Sequence, residues 1–294
     1  MASDVSARTG WSWRLAARSL EKRGPVAVGI VNVTGDSMYE GSRSETPERA
    51  IEDGRALAEQ GFEMLDVGAV AARSGPPVQA GEEIASLVPA IEGLIDTGLP
   101  ISADTFVPEV ARRALEAGAV AINDIGGGSA EMFELAAETG CGLVLMQIEG
   151  PPRSDRPAPR YGDVIEHLHD WFAERLEAAS ARGVAAEQIV LDPGLDFDLG
   201  LDDDLAVLAR LGELRSLGRP LYVSLSRKDF LGAVLTGSWK RRAPAAEREW
   251  ATAAAAALAV TGGADLLRLH DASALQAVRV AARIAGGDGD GNAG

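Results

Sequence analysis

One pattern repeats eight times along this chain and limits what it can fold into. Each repeat is a short apolar run, a polar residue, a glycine-rich loop and then an amphipathic segment. The apolar runs lie at 26–33, 64–67, 100–103, 120–122, 142–146, 189–191, 220–225 and 266–269. Helical patterns fall between and after them, at 47–60, 82–95, 107–117, 130–139, 164–181, 203–214, 245–260 and 274–284. Thr46 and Ser129 stand as N-caps, Pro47 suits a first helical turn, and Gly61, Gly118, Gly140, Gly183 and Gly262 suit left-handed C-caps. Strands alternating with helices predict a parallel sheet. A doubly wound sheet accommodates six such units, whereas eight regularly spaced ones predict a single-domain (β/α)8 TIM barrel.

The repeats place the barrel at 25–285. Residues 1–24 form a short N-terminal extension, expected to make a hairpin or a cover over the barrel's N-terminal mouth. Residues 286–294 form a Gly/Asp-rich tail, expected to be disordered. Apolar residues are 46% of the chain and aromatics 5%, so the core rests on Val, Ile, Leu and Ala. No apolar run is long enough for a membrane span, and the N-terminus has no secretory apolar region. Cys141 lies beside the apolar stretch 142–146 and reads as a buried small hydrophobe. These features predict a cytoplasmic protein. A formal charge of −16 argues against nucleic acid or an anionic membrane as partner. Lysine occurs only at Lys22, Lys228 and Lys240, so a lysine directly after an apolar strand stands out.

In such a barrel the C-terminal ends of the strands surround the substrate mouth. Those positions are Asn32, Asp66, Asp104, Asn123, Gln147, Asp192, Ser226 with Lys228, and Arg268 with His270. A lone acid at a strand end is more often a polar plug or a cap than a ligand, but eight polar endings on one rim are harder to explain that way. The set has no Ser-His-Asp or Cys-His arrangement and no histidine cluster for zinc. Acids, amides and three cations suit a heterocycle held by hydrogen bonds and an anion held by Arg, Lys and His.

The motifs carrying these residues are GIVNVTGDS at 29–37, DVG at 66–68, ISADT at 101–105, INDIGG at 122–127, LM at 145–146, LDPG at 191–194, SRKDF at 226–230 and RLHD at 268–271. In that order and spacing they resemble the dihydropteroate synthases. The resemblance implies a transferase of folate biosynthesis that condenses 6-hydroxymethyl-7,8-dihydropterin pyrophosphate with p-aminobenzoate. Pyrophosphate leaves first, and the arylamine captures a cation spread over the pterin. The resemblance assigns pterin binding to Asp104, Asn123, Met146, Asp192 and Lys228, with Asp104, Lys228 and Arg268 catalytic. It assigns the pyrophosphate to Asn32, Arg268 and His270, with Asn32 the ligand of a Mg2+ ion that accompanies it. Arg268→Ala is accordingly expected to weaken binding of the pyrophosphate substrate more than that of the bare pterin. Arg73, Phe197 and Ser226 fall to p-aminobenzoate, a sulfonamide-sensitive site in the family, and a homodimer packed through late helices is also implied.

The acceptor side departs from the family. Its STRPG second loop is Ala71-Ala72-Arg73-Ser74-Gly75 here, and its sixth-loop GFGK is Asp196-Phe197-Asp198-Leu199; the first loop has Gly35 and Met38 for a usual proline and phenylalanine. Asp196 and Asp198 either face the acceptor pocket, or point outward or cap the following helix. If they face it, they repel a carboxylate substrate, and glycine at both positions lowers its Michaelis constant. The alternatives to a synthase are a paralogue with changed acceptor specificity and a pterin-dependent methyltransferase module serving a corrinoid partner.

Overall fold

The computed structural model describes residues 10–33, 46–70, 78–153 and 161–286. A two-stranded antiparallel hairpin, β1 (Trp11–Leu15) and β2 (Arg18–Lys22), precedes the barrel. Then follow β3 (Val26–Asn32), α1 (Pro47–Gln60), β4 (Met64–Gly68), α2 (Ala80–Leu94), β5 (Ile101–Asp104), α3 (Pro108–Glu116), β6 (Ala121–Asp124) and α4 (Ala130–Thr139). The second half runs β7 (Gly142–Met146), α5 (Val164–Ala181), β8 (Ile189–Asp192), α6 (Leu201–Arg210), β9 (Tyr222–Ser224), α7 (Asp229–Thr236), α8 (Glu249–Thr261), β10 (Leu266–Leu269) and α9 (Ala272–Ile284).

Strands β3 to β10 form one parallel sheet in the order β8-β7-β6-β5-β4-β3-β10-β9. A parallel bridge from Leu191 to Leu221 joins its two ends, with Leu191 N–H donating to the Pro220 carbonyl at 2.9 Å. The sheet therefore closes into the expected (β/α)8 barrel and the doubly wound alternative is excluded. Its strands are apolar because both faces are covered: β3 is buried from Val26 to Val31, and β4 and β7 are buried throughout.

The extension is both of the things expected of it, a hairpin and a cover. Trp11, Trp13 and Leu15 pack with Val26, Val28, Met64, Ala121, Val144, Val190, Tyr222 and Leu266, the side chains at the strands' N-terminal ends. The Trp13 indole N–H donates to the Gln188 carbonyl at 2.7 Å, and a Cβ on Gly142 would lie 2.6 Å from Leu15 and 2.8 Å from Trp13. Gly142 is thus the gap into which the hairpin fits. A cleft of about 1170 Å3 beside the hairpin, lined by Lys22, Arg23, Glu63 and Arg279, lies on this same side. Cys141 is buried, as expected of a small core residue, and burial raises its thiol pKa.

Two local expectations are corrected. Residues 229–236, which fall in none of the helical patterns of the sequence, form the two-turn helix α7, closed by Gly237 with positive φ. Gly61, Gly118, Gly140 and Gly183 do adopt positive φ at helix ends, but Gly262 has φ −75°. Helix α8 turns one residue later, at Gly263 with φ +101°. Gly35, Met38, Ala71 to Gly75 and the tail beyond Gly286, for which the sequence raised expectations, lie outside the described residues.

Trp13 is fully buried, so its removal leaves a cavity that the closed barrel cannot collapse around. Trp13→Ala should cost about 3–5 kcal/mol in urea unfolding while leaving substrate Michaelis constants unchanged. A loss under about 1 kcal/mol would show that the hairpin does not seal the barrel.

Candidate active site

The register of the strands brings the polar endings together. Asn32 pairs with Gly68, Gly68 with Asp104 and Asp104 with Asn123, so these four stand at one level. Met146 pairs with Asp192 across the barrel wall. A Cβ on Gly68 would lie 3.2 Å from the Asp104 Cβ, so the small residue leaves room for that acid. At Gly194, φ is +71° and a Cβ would lie 2.3 Å from the Gln147 carbonyl oxygen, which restricts the position to glycine. Gly194 N–H in turn donates to Asp192 Oδ1 at 2.9 Å and aims that carboxylate.

Asp66 is the hub of the mouth. Its fully buried carboxylate accepts from Arg268 Nε, from Ser102 Oγ and, at 3.0 Å, from Asn123 Nδ2. Arg268 Nη2 donates to Asp104 Oδ2 at 2.7 Å. One guanidinium therefore bridges two carboxylates from neighbouring strands. Sequence reasoning placed Asp66 on the rim but gave it no role.

Burial dominates the electrostatics. It pushes the Asp104 carboxyl up to about 7 against the pull of Arg268, with Asp66, Glu83 and Asp192 adding to the rise. Asp192 rises to about 6 by burial, opposed first by Lys228. Burial, with Arg268 and Arg227 nearby, drops His270 to about 3. His270 is therefore a neutral imidazole at physiological pH, which corrects the count of three cations on the rim. Its Nδ1 lies 2.9 Å from Ser226 Oγ, and Ser226 Oγ also accepts from the His270 amide at 3.3 Å.

The loops after β8 and β9 complete the mouth. Lys228 is the N-cap residue of α7, its Nζ donates to the Leu195 carbonyl, and it lies 4.8 Å from the centroid of the Phe197 ring. Phe197 and Phe106 pack on the buried cluster Ile125, Met146 and Ile148, an apolar wall beside the polar groups. Asn32 ends β3 half-buried, with no side-chain hydrogen bond among the described residues. Arg73 lies outside the described residues.

The two acids that replace family glycines do not face the pocket. Asp196 and Asp198 are 2% and 3% exposed. Asp196 accepts from the backbone N–H groups of Asp229 and Phe230, at the start of α7, and Asp198 Oδ2 accepts from Glu149 N–H at 2.6 Å. A carboxylate at a helix N-terminus is stabilised by about 0.3–2 kcal/mol. Neither acid points outward or caps the helix that follows, α6: Asp196 caps α7 instead, and Asp198 holds the loop after β7. With both carboxylates taken up by backbone amides, the expectation that glycine here relieves repulsion of the acceptor is withdrawn.

Acceptors for ring N–H donors, a lysine, an apolar wall and a polar rim define a (β/α)8-barrel enzyme site for a flat polar heterocycle. A family model described as pterin binding enzyme matches residues 28–270. The dihydropteroate synthase of Synechocystis sp. is 36% identical over 252 residues, covering 84% of this chain and 86% of that protein. A Xanthomonas albilineans dihydropteroate synthase solved with 4-aminobenzoic acid superposes with a TM-score of 0.83 at 36% identity, over 94% of this chain and 98% of that one. The same organism's enzyme in complex with 7,8-dihydropteroate gives a TM-score of 0.78 at 36% identity, over 92% and 98%. The chain belongs to the dihydropteroate synthase family.

Arg268 is shared by Asp66 and Asp104, so its removal affects more than a phosphate. Arg268→Ala should leave the Asp66 and Asp104 carboxylates without their counter-charge and cost about 3–5 kcal/mol at pH 8. The loss should shrink at pH 5, where the Asp104 carboxyl, pushed up to about 7, takes up a proton instead. Unfolding curves at both pH values check this, and an equal loss at each would contradict it.

Proposed function

We propose that this chain is a dihydropteroate synthase, joining 6-hydroxymethyl-7,8-dihydropterin pyrophosphate to p-aminobenzoate in folate biosynthesis. The observation that carries the reading is the match to named synthases along most of both chains, with the pterin-side motifs intact. The bond from the pterin's exocyclic carbon to oxygen breaks, and the pyrophosphate keeps the electron pair. The arylamine nitrogen then attacks that carbon and loses a proton.

Asp104 and Asp192 accept the N–H donors of the pterin edge, and their charge stabilises the cation that forms. Asn123 holds the same ring from β6 and Met146 lies against it. Lys228 reaches the pterin carbonyl and ring nitrogen. Arg268, beneath these acids, serves pterin and pyrophosphate together, so its loss weakens both and not chiefly the pyrophosphate. His270 offers a neutral ring N–H to phosphate oxygen. Phe197 and Ser226 line the p-aminobenzoate side, where sulfonamides compete, and Arg73 guides the carboxylate.

Among the described residues no group of three His, Cys, Asp or Glu is placed to hold a metal. That suits Mg2+, which keeps waters and substrate phosphates as ligands and needs few from protein. Asn32, with its amide at the rim, would hold the ion, which when bound would supply positive charge for the pyrophosphate oxygens. The exposed Trp250 and Leu258 of α8 and Val280 and Ile284 of α9 form the apolar face of a homodimer. No described helix is long and apolar enough to cross a membrane, and we place the enzyme in the cytoplasm.

The direct test is mass-spectrometric detection of dihydropteroate from the purified protein, both substrates and Mg2+; absence of product would refute the reading. The raised carboxyl pKa values add a pH signature. Pterin binding needs the charged acids, so affinity should fall as pH drops through about 7 and then about 6. Asp192→Asn should bind more weakly and lose the lower step. Calorimetry between pH 8 and 5.5 reads both effects, and a flat profile in the wild type would contradict the assignment.

A further inference from the structure

The acidic pair in the loop after β8 has work of its own in this chain. Asp196 sits at φ +71°, a left-handed conformation that side-chain-bearing residues rarely adopt. This backbone turn directs its carboxylate across to the next loop, where Asp229 N–H and Phe230 N–H, the first amides of α7, both donate to it. The N-cap residue of that helix is Lys228, whose side chain makes no cap hydrogen bond; the neighbouring loop supplies the cap. Lys228 Nζ donates to the carbonyl of Leu195, one residue before Asp196, in the same direction. The two loops are thus tied at two neighbouring residues, Leu195 and Asp196. On the other side, Asp198 Oδ2 receives Glu149 N–H from the loop after β7, and Asp196 N–H donates to Asp204 Oδ1 of α6 at 2.8 Å. Phe197 lies between the two acids, half-buried on Met146 and its neighbours.

We propose that Asp196 and Asp198 are positioning residues, bracing the loop that presents Phe197 and, through the start of α7, setting Lys228 in the mouth. The inference rests on the proposed roles of Phe197 in acceptor binding and Lys228 in pterin binding. It assigns the departure from the family's glycines a function, since three adjacent loops are joined by carboxylates where a glycine pair offers no side chain.

The test compares the wild type with Asp196→Gly, Asp196→Asn and Asp198→Ala in steady-state kinetics, with melting temperatures alongside. Glycine accepts φ +71° without strain, so Asp196→Gly removes the brace with little backbone cost. Its Michaelis constant for p-aminobenzoate should rise about ten-fold, the loss of one charge-assisted pair of bonds, while kcat falls less than about three-fold. Asparagine keeps an acceptor oxygen and tolerates the left-handed region, so Asp196→Asn should recover most of the loss. An unchanged Michaelis constant in Asp196→Gly would overturn the proposal, and a lowered one would show instead that the charge repels the acceptor. Should Asp196→Gly fail to fold, Asp198→Ala decides: its constant should rise about three-fold, and no rise overturns the proposal. If the wild type forms no dihydropteroate, the functional reading fails, and the brace is judged on affinity for dihydropterin pyrophosphate. Asp196→Gly should then weaken that affinity about five-fold through a displaced Lys228, and equal affinity would overturn it.

Discussion

The mouth of this barrel depends on one part-buried cation held between two acids, Asp66 fully buried and Asp104 partly so. Arg268 reaches from β10 to Asp66 on β4 and Asp104 on β5, and through Asp66 it also fixes Asn123 on β6. Without it, carboxylates from neighbouring strands would repel one another in a chain that already carries a formal charge of −16. The arrangement holds acceptors in a low-dielectric site before any ligand arrives, at the cost of raised carboxyl pKa values. Those raised values are the electrostatic counterpart of affinity for a ring rich in N–H donors.

The two ends of the barrel divide the labour. At the N-terminal end the hairpin fills the interior with Trp13 and Leu15, and the layer above it is apolar. At the C-terminal end the interior changes to Asp, Asn, Ser and Arg within one turn of side chains along each strand: Met64 gives way to Asp66, Ala121 to Asn123, Val190 to Asp192 and Leu266 to Arg268. Stability and chemistry are thereby separated along the strands. The loops above the polar layer are held by carboxylate-to-amide bonds from Asp196 and Asp198, an economical use of acids in a chain with few lysines.

Much of this was legible in the sequence, and what was not has physical reasons. The eight units could be read because each strand is buried on both faces and each helix on one, so the apolar period changes at every boundary. Helix α7 was missed because two turns of mixed composition carry almost no period, and its cap comes from another loop. Asp66 was found at its strand end but not as a hub, since its partner Arg268 lies 202 residues away. Nothing local announces such a pair. The direction of Asp196 could not be read either, because it follows from a positive φ that aspartate seldom takes. His270 was assigned to phosphate from its motif, but its neutral state depends on burial that only the fold supplies.

If the Asp66–Arg268–Asp104 bridge organises the pterin site, loosening it without touching a ligand-facing group must be felt by the ligand. The measurement is calorimetric titration of wild type and Asp66→Asn with 6-hydroxymethyl-7,8-dihydropterin pyrophosphate. Asparagine preserves the shape of Asp66 but not its charge, and affinity should fall about ten-fold in a protein that remains folded. Equal affinity in the two proteins would mean that the bridge is structural and that the pterin acids are set by their strands alone.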